Sequence, residues 1–223
     1  TLISAITILG KQRGVIRPAI ASVLPTIERS VILLDSGASL DVKPKVLYQF
    51  AVMGSKLAEA LFDIESPKIG LLNNGEEESK GRELEKSAFK LLNSSSLNFV
   101  GNVEGRDFAT NKVDVFVTDG FTGNVVLKTL EGTAKLQQSL ISASLKQNLF
   151  KPFLPSVKKA LKPVKDQLNP DKTNASYLLG VDGLVTIGHG SSKQEAIMNG
   201  IQYTNESINK DFIGKFSDAI KEL

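Results

Sequence analysis

Short apolar runs that end in Gly, Asn, Asp or Ser, each followed by apolar residues at helical spacing, recur along this chain of 223 residues. The clearest copy is Val113 to Thr129. An apolar strand, Val113 to Val117, stops at Asp119-Gly120, and Thr118 to Asn124 reads as a turn of small and polar residues. A helix is predicted from about Asn124 past Ala134 to Leu145. Val31 to Leu34 leads into Asp35-Ser36-Gly37-Ala38 and a helix over Lys45 to Phe62; Pro67 to Leu72 leads into Asn73 to Gly81 and a helix from about Arg82 to Leu92. Asn98 to Val103 ends in Glu104 to Asp107. Leu184 to Ile187 ends in Gly188 to Ser192, before a helix over about Lys193 to Ile208. Ala19 to Leu24 is a further strand, and Leu2 to Leu9 reads as helix or strand. Strand, polar turn and helix in alternation predict an α/β fold, a mostly parallel sheet flanked by helices. In such a sheet the five polar strand ends lie on one edge, where open α/β sheets bind their ligands.

Composition narrows the chemistry. With no Cys, disulfides, thiolate metal sites and a Cys nucleophile are excluded, and one His excludes a multi-His metal site. A net charge of +3 is too small to argue for nucleic acid, and no partner of that kind is expected. There is neither a dinucleotide fingerprint nor a P-loop, so nucleotide binding is unsupported and no cofactor is expected. No apolar run is long enough for a transmembrane helix. Leu2 to Gly10 lacks the basic lead-in of a secretory signal, and the absence of Cys fits a cytoplasmic protein. The chain opens inside an apolar pattern without Met. It reads as an N-terminally shortened piece: one α/β domain over residues 1–223, the C-terminal two thirds of a longer protein.

The polar strand ends supply backbone N–H groups, amides, hydroxyls, a Lys, an Arg and the His, an inventory suited to a phosphate and a carbonyl. Ser36, Gly37, Asn73, Gly75, Thr122, Gly123 and Ser191 are candidate phosphate or substrate contacts. The plain alternative for each is a turn or cap residue. Asn124, at the predicted helix start, can cap that helix or donate to a ligand, where free N–H groups and the helix dipole attract anions. Lys80 follows three Glu and is a candidate for phosphate or oxyanion charge; the alternative is a solvated helix start. His189, between two glycines, is either a structural residue or an orienting and proton-donating group. The basic loop with Lys11, Arg13 and Arg17 is either a solvated turn or a contact for an acidic partner.

Phe150 to Leu168 pairs apolar positions with lysines. Val157, Leu161, Val164 and Leu168 share a helical face, Lys158, Lys159, Lys162 and Lys165 fall elsewhere, and Phe150, Phe153 and Leu154 add apolar bulk. That is the composition of an interfacial membrane helix, and equally of a packed helix with a solvated Lys face. Pro163 predicts a break or kink. Residues 140–168 are expected to protrude from the domain.

The stretches IRPAIASVLPT, LLDSGA, FAVMGS, IGLLNNGEEESKG, FVGNVEGRD, DVFVTDGFTGNVVLKTLEG and GHGSS, in this order, resemble the bacterial phosphate acyltransferases that move a fatty acyl group from acyl carrier protein to inorganic phosphate. The resemblance implies a Rossmann-like fold related to isocitrate and isopropylmalate dehydrogenases and a homodimer. It also implies a helical pair, here containing Phe150, Phe153, Leu154, Val157 and Leu161, docked peripherally on the inner membrane face. The acyl phosphate would feed a glycerol-3-phosphate acyltransferase, towards phosphatidic acid and phospholipids. Lys80, Asn124 and His189 are then the catalytic candidates, and the basic loop would meet the acidic carrier. Two departures stand out. Family members begin with a segment bearing a DAMGGD-like strand end and a Gly-Asn-Thr-Gly loop that are absent here, so residues 1–223 alone are expected to be inactive. The usual Tyr-Gly-Gly-Ala run is replaced by Thr173-Asn174-Ala175-Ser176. The other readings are a phosphotransacylase acting on acyl-coenzyme A, a non-catalytic membrane- or partner-binding fragment, and an oxidoreductase suggested by fold alone.

Overall fold

In a computed structural model of the chain, residues 2–145, 153–167, 176–188, 192 and 194–221 are described. Seven strands, β1 (Ala19–Leu24), β2 (Val31–Leu34), β3 (Ile69–Leu72), β4 (Phe99–Val103), β5 (Val115–Val117), β6 (Ser176–Leu179) and β7 (Val185–Ile187), form one sheet in the order β4-β3-β5-β2-β1-β6-β7. Pairing is parallel across β4-β3-β5-β2 and antiparallel across β2-β1-β6-β7. Five strands therefore run one way, and β1 and β7 run against them. The expected α/β sheet is present, mostly parallel by direction, with an antiparallel extension.

Side chains alternate across the strands and make two apolar layers. Ile32, Leu34, Ile69, Leu71, Val115 and Val117 face one side. That side is covered by α2 (Pro44–Phe62), α3 (Glu83–Asn93) and α7 (Phe212–Lys221). Pro44 starts α2, where its missing N–H costs nothing, and Asp63 ends it in the left-handed conformation at φ 55°. Helix α7 was not anticipated; Phe212, Phe216 and Ile220, at helical spacing, are its buried stripe. The other layer holds Leu33, Leu72, Val103 and Val113, with Phe108 stacked on Phe116 at 3.8 Å between ring centroids.

Helix α4 (Gly120–Leu145) begins four residues earlier than the sequence predicts, and only Thr118 and Asp119 separate it from β5. Val126 and Leu127 pack on the second apolar layer, and beyond them no residue of α4 is buried. Helix α5 (Leu154–Gln167) also buries nothing, and it runs without interruption through Pro163. Of the expected break or kink, the break is absent, and the Lys159 carbonyl that Pro163 leaves without a helical partner lies in an exposed helix. Leu2–Leu9 is helix α1, and α6 spans Gln194–Asn209. No helix among the described residues is long and apolar enough to cross a membrane.

Candidate active site

Strands β2, β3, β4, β5 and β6 deliver their carboxyl ends to one edge. Asp35 follows β2 and is fully buried, and its carboxylate accepts N–H bonds from Ile20 at 3.0 Å, Gly37 at 3.1 Å, Ala38 at 2.9 Å and Ser39 at 2.7 Å. Burial pushes this carboxyl above its ordinary value, against the pull of the four N–H groups. Asp35 thus draws the loop after β2 into a closed turn. Ser36, also buried, shares a 2.7 Å hydrogen bond with Ser22 and donates to the Ile20 carbonyl.

The start of α4 lies directly against this turn. The Gly120 N–H donates to Ser39 O at 2.8 Å, and a Cβ on Gly123 would sit 1.9 Å from the Asp35 carbonyl oxygen. Glycine is required there by close approach of two backbones. The cap of α4 is Asp119, not Asn124: Asp119 Oδ1 accepts from the Thr122 N–H at 2.8 Å, and its Oδ2 from the Thr122 hydroxyl at 2.9 Å. The Gly123 N–H donates to the Asp119 carbonyl at 2.9 Å. Three N–H groups of the first turn are therefore satisfied internally. The expected anion site of free backbone N–H groups is replaced by a carboxylate cap. Asn124 stands one turn into the helix, exposed, and its side chain makes no hydrogen bond among the described residues. A Cβ on Gly37 would lie 3.6 Å from Asn124 Cβ, so the β2 and β5 loops meet here.

The loop after β3 is held by Asn73, whose amide donates to Lys80 O at 3.2 Å and accepts from the Asn74 N–H at 2.8 Å. Buried Asn102 on β4 donates to Glu77 O at 2.8 Å. The aliphatic stem of Lys80 lies over Gly75, and its half-exposed ammonium is 4.0 Å from Glu77. As placed, Ser36, Gly37, Asn73, Thr122 and Gly123 hydrogen-bond within the loops they build, and Gly75 lies against the Lys80 stem. Asn124 is left without a side-chain hydrogen bond among the described residues, and Lys80 has only its ion pair with Glu77.

A further pair had not been singled out. Arg82, directly after the Lys80-Gly81 pair, contacts Glu85 and reaches Asp119 Oδ2 at 2.5 Å. It ties the β3 loop to the cap of α4. Burial alone would raise the Asp119 carboxyl, but the Thr122 N–H, Arg82 and the Thr122 hydroxyl outweigh it and hold Asp119 below its ordinary value. Both neighbours push the Arg82 guanidinium upwards. An Arg that opens a helix, three residues before Glu85, was the available signal.

One expected loop is not on this edge. β7 is antiparallel to β6, with Ile187 beside Ser176, so it leaves the sheet where β6 begins. Five polar ends on one edge would have required a parallel β7. His189 and Ser191 themselves lie outside the described residues, as does Phe150. Phe153 is 64% exposed, and Leu154, Val157 and Leu161 are half-buried. Among the described residues no group of three His, Cys, Asp or Glu could hold a metal ion.

A model of the fatty acid synthesis protein family matches residues 1–215. The phosphate acyltransferase of Elusimicrobium minutum is 41% identical over 100% of this chain and 65% of its own length. That of Thermodesulfovibrio yellowstonii is 43% identical over 96% of this chain and 63% of its own. The chain thus spans a little under two thirds of the length of these curated relatives. Among solved structures it is similar to the EutD phosphotransacetylase from Staphylococcus aureus, with TM-score 0.56 and 15% identity over 92% of this chain and 58% of that one. A branched-chain phosphotransacylase from Enterococcus faecalis also has TM-score 0.56, at 13% identity over 86% of this chain and 65% of that one. At these identities the likeness is one of fold alone.

Proposed function

Since the chain belongs to the fatty acid synthesis protein family, we propose that it carries the site of a phosphate acyltransferase, which converts fatty acyl-acyl carrier protein and inorganic phosphate to acyl phosphate and free carrier thiol. The chemistry needs no Cys. A phosphate oxygen adds to the thioester carbonyl carbon to give a tetrahedral oxyanion, which collapses as the C–S bond breaks, and the thiolate leaves and takes a proton. The protein has to hold phosphate beside the thioester and stabilise the tetrahedral oxyanion. Lys80 supplies charge, Asn124 a neutral donor, and His189 an orienting group or the proton for the thiolate.

The observation that carries this reading is that Asn124 makes no hydrogen bond among the described residues, and Lys80 only a 4.0 Å ion pair with Glu77, on loops fastened by Asn73 and Asp119. In the complete gene product, Lys80→Ala and Asn124→Ala should each lower acyl phosphate formation at least ~10²-fold, as loss of an oxyanion donor does, while Tm barely moves. Near-normal turnover in both variants would remove them from the mechanism. The thiol released, carrier or coenzyme A, separates this reaction from a coenzyme A-dependent transacylase. The same reading takes the chain as one domain related to the isocitrate and isopropylmalate dehydrogenases, with residues 140–168 protruding. It includes a homodimer, a cytoplasmic place at the inner membrane face, and a glycerol-3-phosphate acyltransferase that consumes the product.

A further inference from the structure

Charge on the site edge is divided between its two halves. On the β3, β4 and β5 side every cation of the loops is matched to a carboxylate. Lys80 faces Glu77, Arg82 is held by Glu85 and Asp119, Arg106 lies 2.7 Å from Glu104, and Lys112 lies 2.8 Å from Glu76. The β1, β2 and β6 side is different. Lys11, Arg13, Arg17, Lys43 and Lys45 are all exposed, and none of them forms an ion pair among the described residues. The exposed acids of the neighbouring turns there are Asp41 and Asp182.

The backbone that carries Lys11, Arg13 and Arg17 is fastened at several points. Lys11 bridges to Val181 just beyond β6, and the Gln12 N–H donates to Gly180 O at 3.1 Å. Buried Gln49 on α2 clamps the loop at two points: its Oε1 accepts from the Ile16 N–H at 2.7 Å and its Nε2 donates to Gly14 O at 2.9 Å. Lys45 stands one helical turn before Gln49 on α2. Arg17 leads into Pro18, whose carbonyl accepts from the Ser39 hydroxyl at 3.4 Å at the closed turn beside Asn124. A solvated flexible loop has no need of a buried glutamine to fix its backbone. Holding unpaired charge in place lowers the ordering cost of binding an oppositely charged surface and speeds the encounter.

We infer that Lys11, Arg13, Arg17, Lys43 and Lys45 form the docking rim for an acidic protein that brings the thioester to this edge. The inference rests on the transacylase reading, because that reading requires an acyl group presented on a protein. The acidic half of the edge repels the same partner, so the rim also fixes the side from which it approaches.

The test uses the complete gene product and fluorescently labelled holo-acyl carrier protein. The native protein should bind it with an affinity that falls as NaCl is raised, since exposed charges are screened. An Arg13→Glu/Arg17→Glu/Lys45→Glu variant should bind at least ~10-fold more weakly at low salt. Arg13→Gln alone should weaken binding in the same direction, and it keeps the test available when the triple variant does not fold. A Lys158→Gln/Lys159→Gln variant should bind like the native protein. Carrier binding unchanged in the triple variant, or a loss confined to anionic vesicles, would overturn the inference. Phosphate-dependent release of the carrier thiol from palmitoyl-acyl carrier protein is measured alongside binding. Its absence from the native protein would count against the transacylase reading without touching the binding result.

Discussion

At the scale of single residues, two predictions follow from how the β2, β3 and β5 loops are fastened. Gly123→Ala places a methyl group where the Asp35 carbonyl oxygen stands, 1.9 Å away, so α4 must back off the turn. Overpacking against backbone should cost about 2–3 kcal/mol, read from the urea midpoint. An unchanged midpoint would show that the helix start can slide. Arg82→Ala leaves Asp119 with only its Thr122 partners. Arg82 is largely exposed, so solvent screening limits the loss to about 1 kcal/mol at neutral pH. The sign of its pH dependence follows from Asp119. Its carboxyl is lowered in the folded state, so its stabilisation is full above the unfolded value near 3.8 and fades as pH falls through the folded one. The Arg82→Ala penalty should therefore shrink in strongly acidic solution. Asp35 works the other way: its raised carboxyl favours the fold when protonated, and that contribution is lost as pH rises from about 3.8 through the folded value. An Arg82→Ala penalty that persists once Asp119 is protonated would mean the arginine acts through packing and not through charge.

At the scale of elements, what the sequence could show depended on where a segment's contacts lie. The strands β1 to β5 and helices α2 and α3 were legible because each buries a local apolar pattern. The start of α4 was not, because Gly-Phe-Thr-Gly has poor helix propensity and is helical only through contact with a turn about 80 residues earlier. β6 is short and is defined by its pairing to β1, a partner distant in sequence. The α4–α5 region carries the next prediction. The distal half of α4 exposes Leu136, Leu140 and Ile141, and α5 buries nothing, with lysines exposed beside half-buried Val157 and Leu161. Replacing Phe150, Phe153 and Leu154 with Ser should abolish co-sedimentation with anionic vesicles. Replacing Lys158, Lys159 and Lys162 with Gln should weaken it mainly on anionic lipid, by about 1 kcal/mol per charge at low salt. Sedimentation unaffected by either set would leave α5 as an ordinary helix awaiting a protein neighbour.

For the molecule as a whole, the site edge was legible as a place but not as a set of roles. Alternating strands and glycine-bearing turns located it. The sequence could not distinguish a Ser, Thr or Asn that offers its polar group outwards from one that closes a loop. That depends on contacts such as Ser22 to Ser36 and Asp119 to Thr122, between residues with no shared pattern. Arg82 and Asp119, 37 positions apart, were invisible as a pair for the same reason. The distribution of burial makes a last, global prediction. Both apolar layers meet at β2, β3 and β5, whose apolar side chains other than Leu72 are fully buried, and α2 seals one face. Helix α1, α4 beyond Leu127 and α5 contribute no buried residue. Amide exchange should therefore divide the chain: Ile32–Leu34, Ile69–Leu72 and Val115–Val117 should exchange only through global unfolding, and the distal α4 turns and α5 through local opening at far lower cost. At 26 residues α4 extends roughly 39 Å, so the boundary should fall within a single helix, near Leu127. Uniform protection along α4 in dilute, lipid-free protein would show that another surface covers its outer half, and would argue for a second copy of the chain there before any membrane.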